Sequence, residues 1–309
     1  MTVEDFRSVG QRLSNWGRWG DDDERGTTNL VTPERMVRAA QMVRSGKVFS
    51  LGIPFDESGP QQGGGIRSNP LHLMTATGQA QDHLPGGFRY ADDYVVMPLQ
   101  CATQWDGLAH VFYDEELYNG FPASDVTPRG ALHNGIEAQA TGIAGRGVLL
   151  DIAALEGVDW LPGGFVITPA HLEAAIERQG GVDVGPGDIL LFRTGWRRML
   201  VETGDKEAFM QSEPGIGVEC CEWLRERDIA VIASDNFAIE PIPPQEGAGF
   251  MWVHMVLIRD LGMTLGEIFD LDALAADCEA DGQWDFFFTA PVLKVTRAVG
   301  SPINPLAIK

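Results

Sequence analysis

The chain has 309 residues, 44% of them hydrophobic, and 44 acids against 23 bases give it a net charge of -21. This content is globular rather than disordered, and a chain of this length buries a large core. The acidity argues against nucleic acid and anionic membrane as partners, since both bind basic surfaces, and leaves a small-molecule substrate as the expected one.

The four cysteines lack disulfide-framework or zinc-ribbon spacing. They point to free thiols in a reducing, cytoplasmic setting. The opening MTVEDFRSVGQRLSNW has neither a basic nor an apolar leader region, and no apolar run reaches the length of a membrane span.

Residues 15–31, NWGRWGDDDERGTTNLV, are polar and glycine-rich around Trp16 and Trp19. Segment 1–31 is expected to lie across the body or a neighbouring subunit and insert its indoles. In TPERMVRAAQMVRSG, Thr32 suits an N-cap, Pro33 the first helical position and Gly46 the stop. Met36, Val37, Ala40 and Val43 would form its apolar face. Residues 48–55 alternate like a strand, and 56–93 read as a long loop with short strands. No helix start or lysine follows Gly63–Gly65, so that run is expected to be a turn and not a phosphate cradle. Residues 94–100, YVVMPLQ, read as a strand running directly into the next motif.

Further on, 147–153, 187–196 and 229–235 read as buried strands, 168–181 and 217–228 as helices, and 286–295 as a late strand. This alternation predicts an α/β core with partly parallel pairing. No linker divides the chain, so 1–309 is expected to be one domain.

Residues 100–110, QCATQWDGLAH, end on one of six histidines. Asp106 and His110 are ligand types that divalent metals take. If 100–106 is extended, Gln100, Gln104 and Asp106 share one face, and Thr103 and Trp105 the other. A turn at Gly107 would return His110 to the same spot. A hydrogen-bonded polar loop is the competing reading of this stretch. Residues 235–267 offer a second half. His254 follows a proline-rich loop, and Glu267 closes the apolar run behind it. Each also has a purely structural reading, His254 as a core histidine capping a helix and Glu267 as an acid at a helix N-terminus. Asp235 ends a strand, where α/β sheets place functional groups.

The chain resembles the cyclase-like metal-dependent hydrolases, which include bacterial kynurenine formamidase and isatin hydrolase. The resemblance rests on NWGRWGDDDERGTTNLVTPE, TQWDGLAH, GIAGRGVLLDIA, GDILLFRTGW, DNFAIEP and VHMVLIRDLGMTLGEIFDL. Of the family motif H-x-G-T-H-x-D-x-x-x-H, Thr103, Asp106 and His110 match. Gln100 and Gln104 replace the two leading histidines, and Ala102 replaces the glycine. A glutamine carbonyl is a weaker zinc ligand than imidazole, which shifts the expected metal toward harder ions. By resemblance His254 and Glu267 are the later ligands, the fold is the swivelling β/β/α arrangement, and the assembly is a homodimer or homotetramer.

The resemblance implies hydrolysis of an amide, lactam or lactone with a divalent ion, manganese or zinc. Asp106, His254 and Glu267 would hold it, with Gln104 or Gln100 as further ligands. His110 would be the general base and then the acid, or itself a ligand, and Asp106 would share in the catalysis. There is no G-x-S-x-G elbow for a serine nucleophile, and Cys101 alternates away from Gln100. His72, His83, Trp105, Phe112 and Trp252 are candidates for lining a pocket for a planar or cyclic substrate, and Trp196 also flanks the motif. A lyase or ring-closing cyclase would use the same site. A binding protein whose glutamines mark a lost metal site is the non-catalytic alternative.

Overall fold

The apolar runs around Leu149, Leu191 and Ile232 are neighbouring strands buried on both faces, so they have no polar side with which to alternate. The computed structural model describes residues 4–63, 65–79, 81–141 and 143–309. The first three residues of the N-terminal segment, the middle of the Gly63–Gly65 run and Gly142 at the head of GIAGRGVLLDIA lie outside the described residues.

The main sheet has nine strands. Its order is Val48–Ser50, Leu306–Ile308, Asp285–Thr289, Ala144–Asp151, Ile189–Arg193, Val231–Ser234, Thr264–Glu267, Gln104–Asp106 and Gly300–Pro302. The four strands from Ala144–Asp151 to Thr264–Glu267 run parallel, and the pairings outside them are antiparallel. This is the predicted α/β class.

Side chains alternate across the sheet between two cores. Val148, Leu150, Leu190, Phe192, Ile232 and Leu265 face helices Phe6–Leu13, Pro169–Arg178 and Cys220–Glu226. Leu149, Ile189, Leu191, Val231, Ala233 and Trp105 face the other core, which takes Leu274, Ala275 and Cys278 from helix Asp272–Asp281.

Local signals held where they concerned caps. Thr32 and Thr168 start helices Pro33–Ala40 and Pro169–Arg178, and the His171 ring completes the second cap as a capping box. The apolar face expected on the first helix is corrected, because Ala39 is its buried residue while Val37 and Val43 are 59% and 40% exposed. The strand expected to run into QCATQWDGLAH is also corrected. It stops at Val96 and pairs with Leu71–Thr77 in a separate ribbon, and residues 97–103 are irregular. The short strands near the C-terminus, Gly300–Pro302 and Leu306–Ile308, have three residues each and are separated by Ile303, Asn304 and Pro305, so no strand period marks them in the sequence.

The N-terminal segment packs on the body of its own chain. The Trp16 indole donates to the Arg259 carbonyl at 2.8 Å, and Asn15 Nδ2 donates to the Leu261 carbonyl at 2.9 Å. Among the described residues no helix is long and apolar enough to cross a membrane.

Gly266 shows how packing sets the site. It lies between Leu265 and Glu267, and a Cβ there would run into the Trp105 ring, the Ala233 methyl and the Phe269 ring. Gly266→Ala is expected to cost about 1–3 kcal/mol, read from the urea midpoint, through the backbone shift that overpacking forces. The same shift moves Glu267, so metal affinity falls with it in a titration. Unchanged stability and affinity would show that the strand yields freely.

Candidate metal centre

Strand Gln104–Asp106 lies antiparallel to Thr264–Glu267, with Gln104 opposite Glu267 and Asp106 opposite Leu265. Directly paired residues project to the same face. Gln104, Asp106 and Glu267 therefore meet on one side of the sheet, while Trp105 points through to the other. His254 comes down onto them from the helical turn Trp252–His254, which widens at once into a π-helical stretch over Met255–Asp260. Such widened turns recur at functional sites.

One ligand atom each from Asp106, His254 and Glu267 lies within 4.8 Å of the others, and all three residues are buried. His254 Nε2 is 3.2 Å from Glu267 Oε1, and its Nδ1 is 2.7 Å from Glu240 Oε1. Glu240 also accepts the backbone N–H groups of Val253 and His254. Its carboxylate holds the Nδ1 proton, so Nε2 is the nitrogen that faces the site and would ligate once its own proton is displaced.

Gln104 supplies the test of fit for a cation. Its Nε2 donates to Glu267 Oε2 at 2.7 Å and stands 3.4 Å from Asp106 Oδ1, bridging two carboxylates. Its Oε1 is buried without a hydrogen-bond partner. Half a turn of the amide exchanges the two atoms and adds a carbonyl oxygen to two carboxylates and one imidazole. That mixed oxygen and nitrogen set suits a divalent ion.

The family model for cyclases, described as "Putative cyclase", matches residues 35–241. The chain belongs to the cyclase family. A crystal structure described as a novel cyclase is 44% identical, with 96% of this chain and 100% of that chain covered and a TM-score of 0.88. Isatin hydrolase A from Ralstonia solanacearum shares the fold at 19% identity and a TM-score of 0.61, over 84% of this chain and 91% of its own. A protein described as a potential metal-dependent hydrolase with cyclase activity does so at 18% identity and a TM-score of 0.51, over 84% and 98%. No curated protein matches the sequence.

In this cyclase-family chain the remaining predicted residues sort by distance from the cluster. The Gly107 carbonyl accepts the His110 N–H at 3.0 Å, and this turn brings His110 Nε2 to 3.8 Å from Asp106 Oδ1. Gln100 reaches the same face by a different route from the strand alternation expected of it. Its amide nitrogen lies where a Cβ on Gly300 would stand, and Gly300 is paired with Asp106. That nitrogen is buried with no acceptor.

The pocket-lining assignments of Trp105, His72 and His83 are corrected. Trp105 is fully buried in the opposite core, packs on Phe269 and Phe288 and donates to the Ala290 carbonyl. Trp252 packs on Phe6. His72 sits on the exposed ribbon, 2.7 Å from Asp93, and His83 is exposed in the turn between its strands. Phe112, two residues beyond His110, is 36% exposed. Asp235 is structural, since Thr194 and Gly195 occupy its oxygens. Burial pushes the Cys101 thiol up to about 11, which suits an inert core residue.

Three residues escaped the sequence reading. Glu240 is the one acid in the apolar AIEPIPP, Glu213 is the acid of SEPGIG, and Arg67 is the only lysine or arginine between Lys47 and Arg89. Glu213 is fully buried, accepts the Phe237 N–H through Oε2 at 2.6 Å and has no partner at Oε1. Burial holds its carboxyl well above the usual range against that N–H, and the Glu267 charge adds to the effect.

Burial and the Asp106 charge likewise raise Glu267, with His254 opposing. Burial disfavours the charged His254 ring, but hydrogen bonds to Glu240 and Glu267 outweigh it and lift its pKa from 6.5 to about 10. Burial lowers His110, Asp106 opposes this, and Arg67 and His254 reinforce it.

A histidine raised from 6.5 to about 10 stabilises the metal-free fold fully below the lower value and loses that contribution as pH rises through the upper. The urea midpoint of metal-free protein is therefore expected to fall across this window. Glu240→Gln should flatten the fall and weaken metal binding by about 10–100-fold in a metal titration. A profile unchanged by Glu240→Gln would refute the role given to Glu240.

Proposed function

We propose that this cyclase-family protein is a metal-dependent hydrolase that opens an amide, lactam or lactone bond of a small cyclic or aromatic substrate. The observation that carries this reading is the buried convergence of Asp106, His254 and Glu267 beside a glutamine amide, with the His110 ring 3.8 Å from Asp106. The hydrolases named above share its fold.

Asp106, His254 and Glu267 would hold the ion, manganese or zinc, with Gln104 offering its carbonyl. When bound, a divalent ion supplies water activation and carbonyl polarisation. The chain supplies the rest. Glu240 keeps His254 in the ligating tautomer. His110 stands outside the three-residue cluster, and its lowered pKa leaves it neutral near pH 7. It takes the proton of the attacking water and returns it to the departing nitrogen or oxygen. Burial of the carboxylates keeps bulk water from screening these charges.

The ribbon of Leu71–Thr77 and Ala91–Val96 supports a homodimer or homotetramer. Leu71, Tyr94, Val95 and Val96 are about half exposed on it, and a lone two-stranded ribbon is marginal in water. The four free, buried cysteines support a cytoplasmic setting.

Elemental analysis of protein purified without added metal is expected to find stoichiometric manganese or zinc, and Asp106→Ala and His254→Ala are expected to lose it. His110→Gln should keep the metal while kcat on lactones, lactams or N-formyl aromatics falls about 10²–10⁴-fold. Product mass separates hydrolysis, which adds water, from ring closure, which expels it. A wild type that holds no metal and gains no thermal stability from added manganese or zinc would sink the reading.

A further inference from the structure

Acids outnumber bases 44 to 23 in this chain, so a basic side chain finds a carboxylate easily. Arg67 is one of several that do not. Among the described residues it makes no ion pair, although it stands near the buried cluster of Asp106, His254 and Glu267. Its Nη2 lies 3.5 Å from His110 Nε2, and its charge acts on Cys101, His110 and Glu267.

Asn69, two residues beyond Arg67, is tied to the chain at Glu57 and Gln61. It accepts from the Gln61 N–H and donates to the Gln61 and Glu57 carbonyls, at 2.9, 2.9 and 3.1 Å. Gln61 Nε2 in turn donates to the Cys101 carbonyl at 3.1 Å, which ties this stretch to the metal-binding segment. Gln100, next to Cys101, presents a buried amide nitrogen with no acceptor on the Asp106 face. Two donors thus flank Asp106: the half-buried Arg67 guanidinium, which meets only the His110 ring, and the buried Gln100 amide, which has no acceptor.

A buried donor left unpaired is costly, so the Gln100 amide gains from an acceptor that a ligand brings. A guanidinium fork is suited to a carboxylate, which it grips through two parallel N–H···O bonds. We infer that Arg67, with the Gln100 amide as second donor, binds a carboxylate carried by the substrate. The substrate class narrows to carboxylate-bearing amides, lactams or lactones, and this rests on the hydrolase reading for the identity of the bond that is cleaved. The anion anchors the substrate beside His110 and leaves the scissile carbonyl to the Asp106, His254 and Glu267 cluster.

The test is calorimetric titration of metal-loaded protein with benzoate and with its neutral counterpart benzamide, with metal content measured on every sample. Wild type should bind benzoate at least about tenfold more tightly than benzamide. Arg67→Gln should erase that preference at unchanged metal content, and Arg67→Lys, a point charge without the fork, should restore part of it. Equal affinity of wild type for the two probes, or benzoate binding that survives Arg67→Gln in metal-loaded protein, overturns the inference and leaves the hydrolase reading intact. Arg67-dependent benzoate binding in a protein that takes up no metal supports the carboxylate site while the hydrolase reading falls.

Discussion

Buried negative charge is the constraint on which this structure turns. Asp106, Glu213, Glu240 and Glu267 are each at most 5% exposed, and the one imidazole among them, His254, brings at most a single positive charge. Carboxylates removed from water must be neutralised by protons, by cations or by hydrogen bonds. Protons and hydrogen bonds are both visible here. Glu213 is held toward its protonated form, Glu240 is satisfied by three N–H groups, and Asp106 and Glu267 share the Gln104 amide. That last arrangement, in which an NH2 group bridges two carboxylates, is the one that a divalent ion would replace.

The fold carries strain to keep these groups in place. Ile239, Met251 and Ile268 adopt positive φ, at 61°, 58° and 58°. They adjoin Glu240, open the turn that ends on His254 and follow Glu267. Left-handed backbone at a bulky residue costs on the order of 1–3 kcal/mol and persists where the surroundings dictate it. The Asn236 carbonyl accepts the Ile268 N–H at 2.8 Å, and Ile268 itself is packed in a buried cluster. Core packing on the far face, through Trp105, Phe269 and Phe288, thereby supports the ligands on the near one.

The glutamines at positions 100 and 104 are consistent with this electrostatic economy. A glutamine brings an oxygen to the cation and an NH2 to a neighbouring carboxylate or ligand, which a histidine cannot do with the same geometry. Gln104 sits where both uses are open to it. Gln100 lies beside Gly300, whose missing side chain leaves room for the amide. The departure from the family motif therefore remains compatible with a metal site and alters its donor set toward oxygen.

What the sequence alone determined was local. Alternation put Gln104 and Asp106 opposite Trp105, Gly107 made the turn that returns His110, and Thr-Pro pairs started two helices, since each depends only on backbone period, cap or turn chemistry. The same periodicity misled at 94–100, where a β-rich run pairs with Leu71–Thr77 and never reaches the main sheet. Tertiary structure decided which partners meet. Gln104 and Glu267 touch across 163 positions of chain because two short strands pair in one register. Glu240, Glu213 and Arg67 came into view only there, each from an irregular loop without period or spacing. Loop geometry is set by what the loop packs against, and that information is spread over the whole fold rather than written beside the residue.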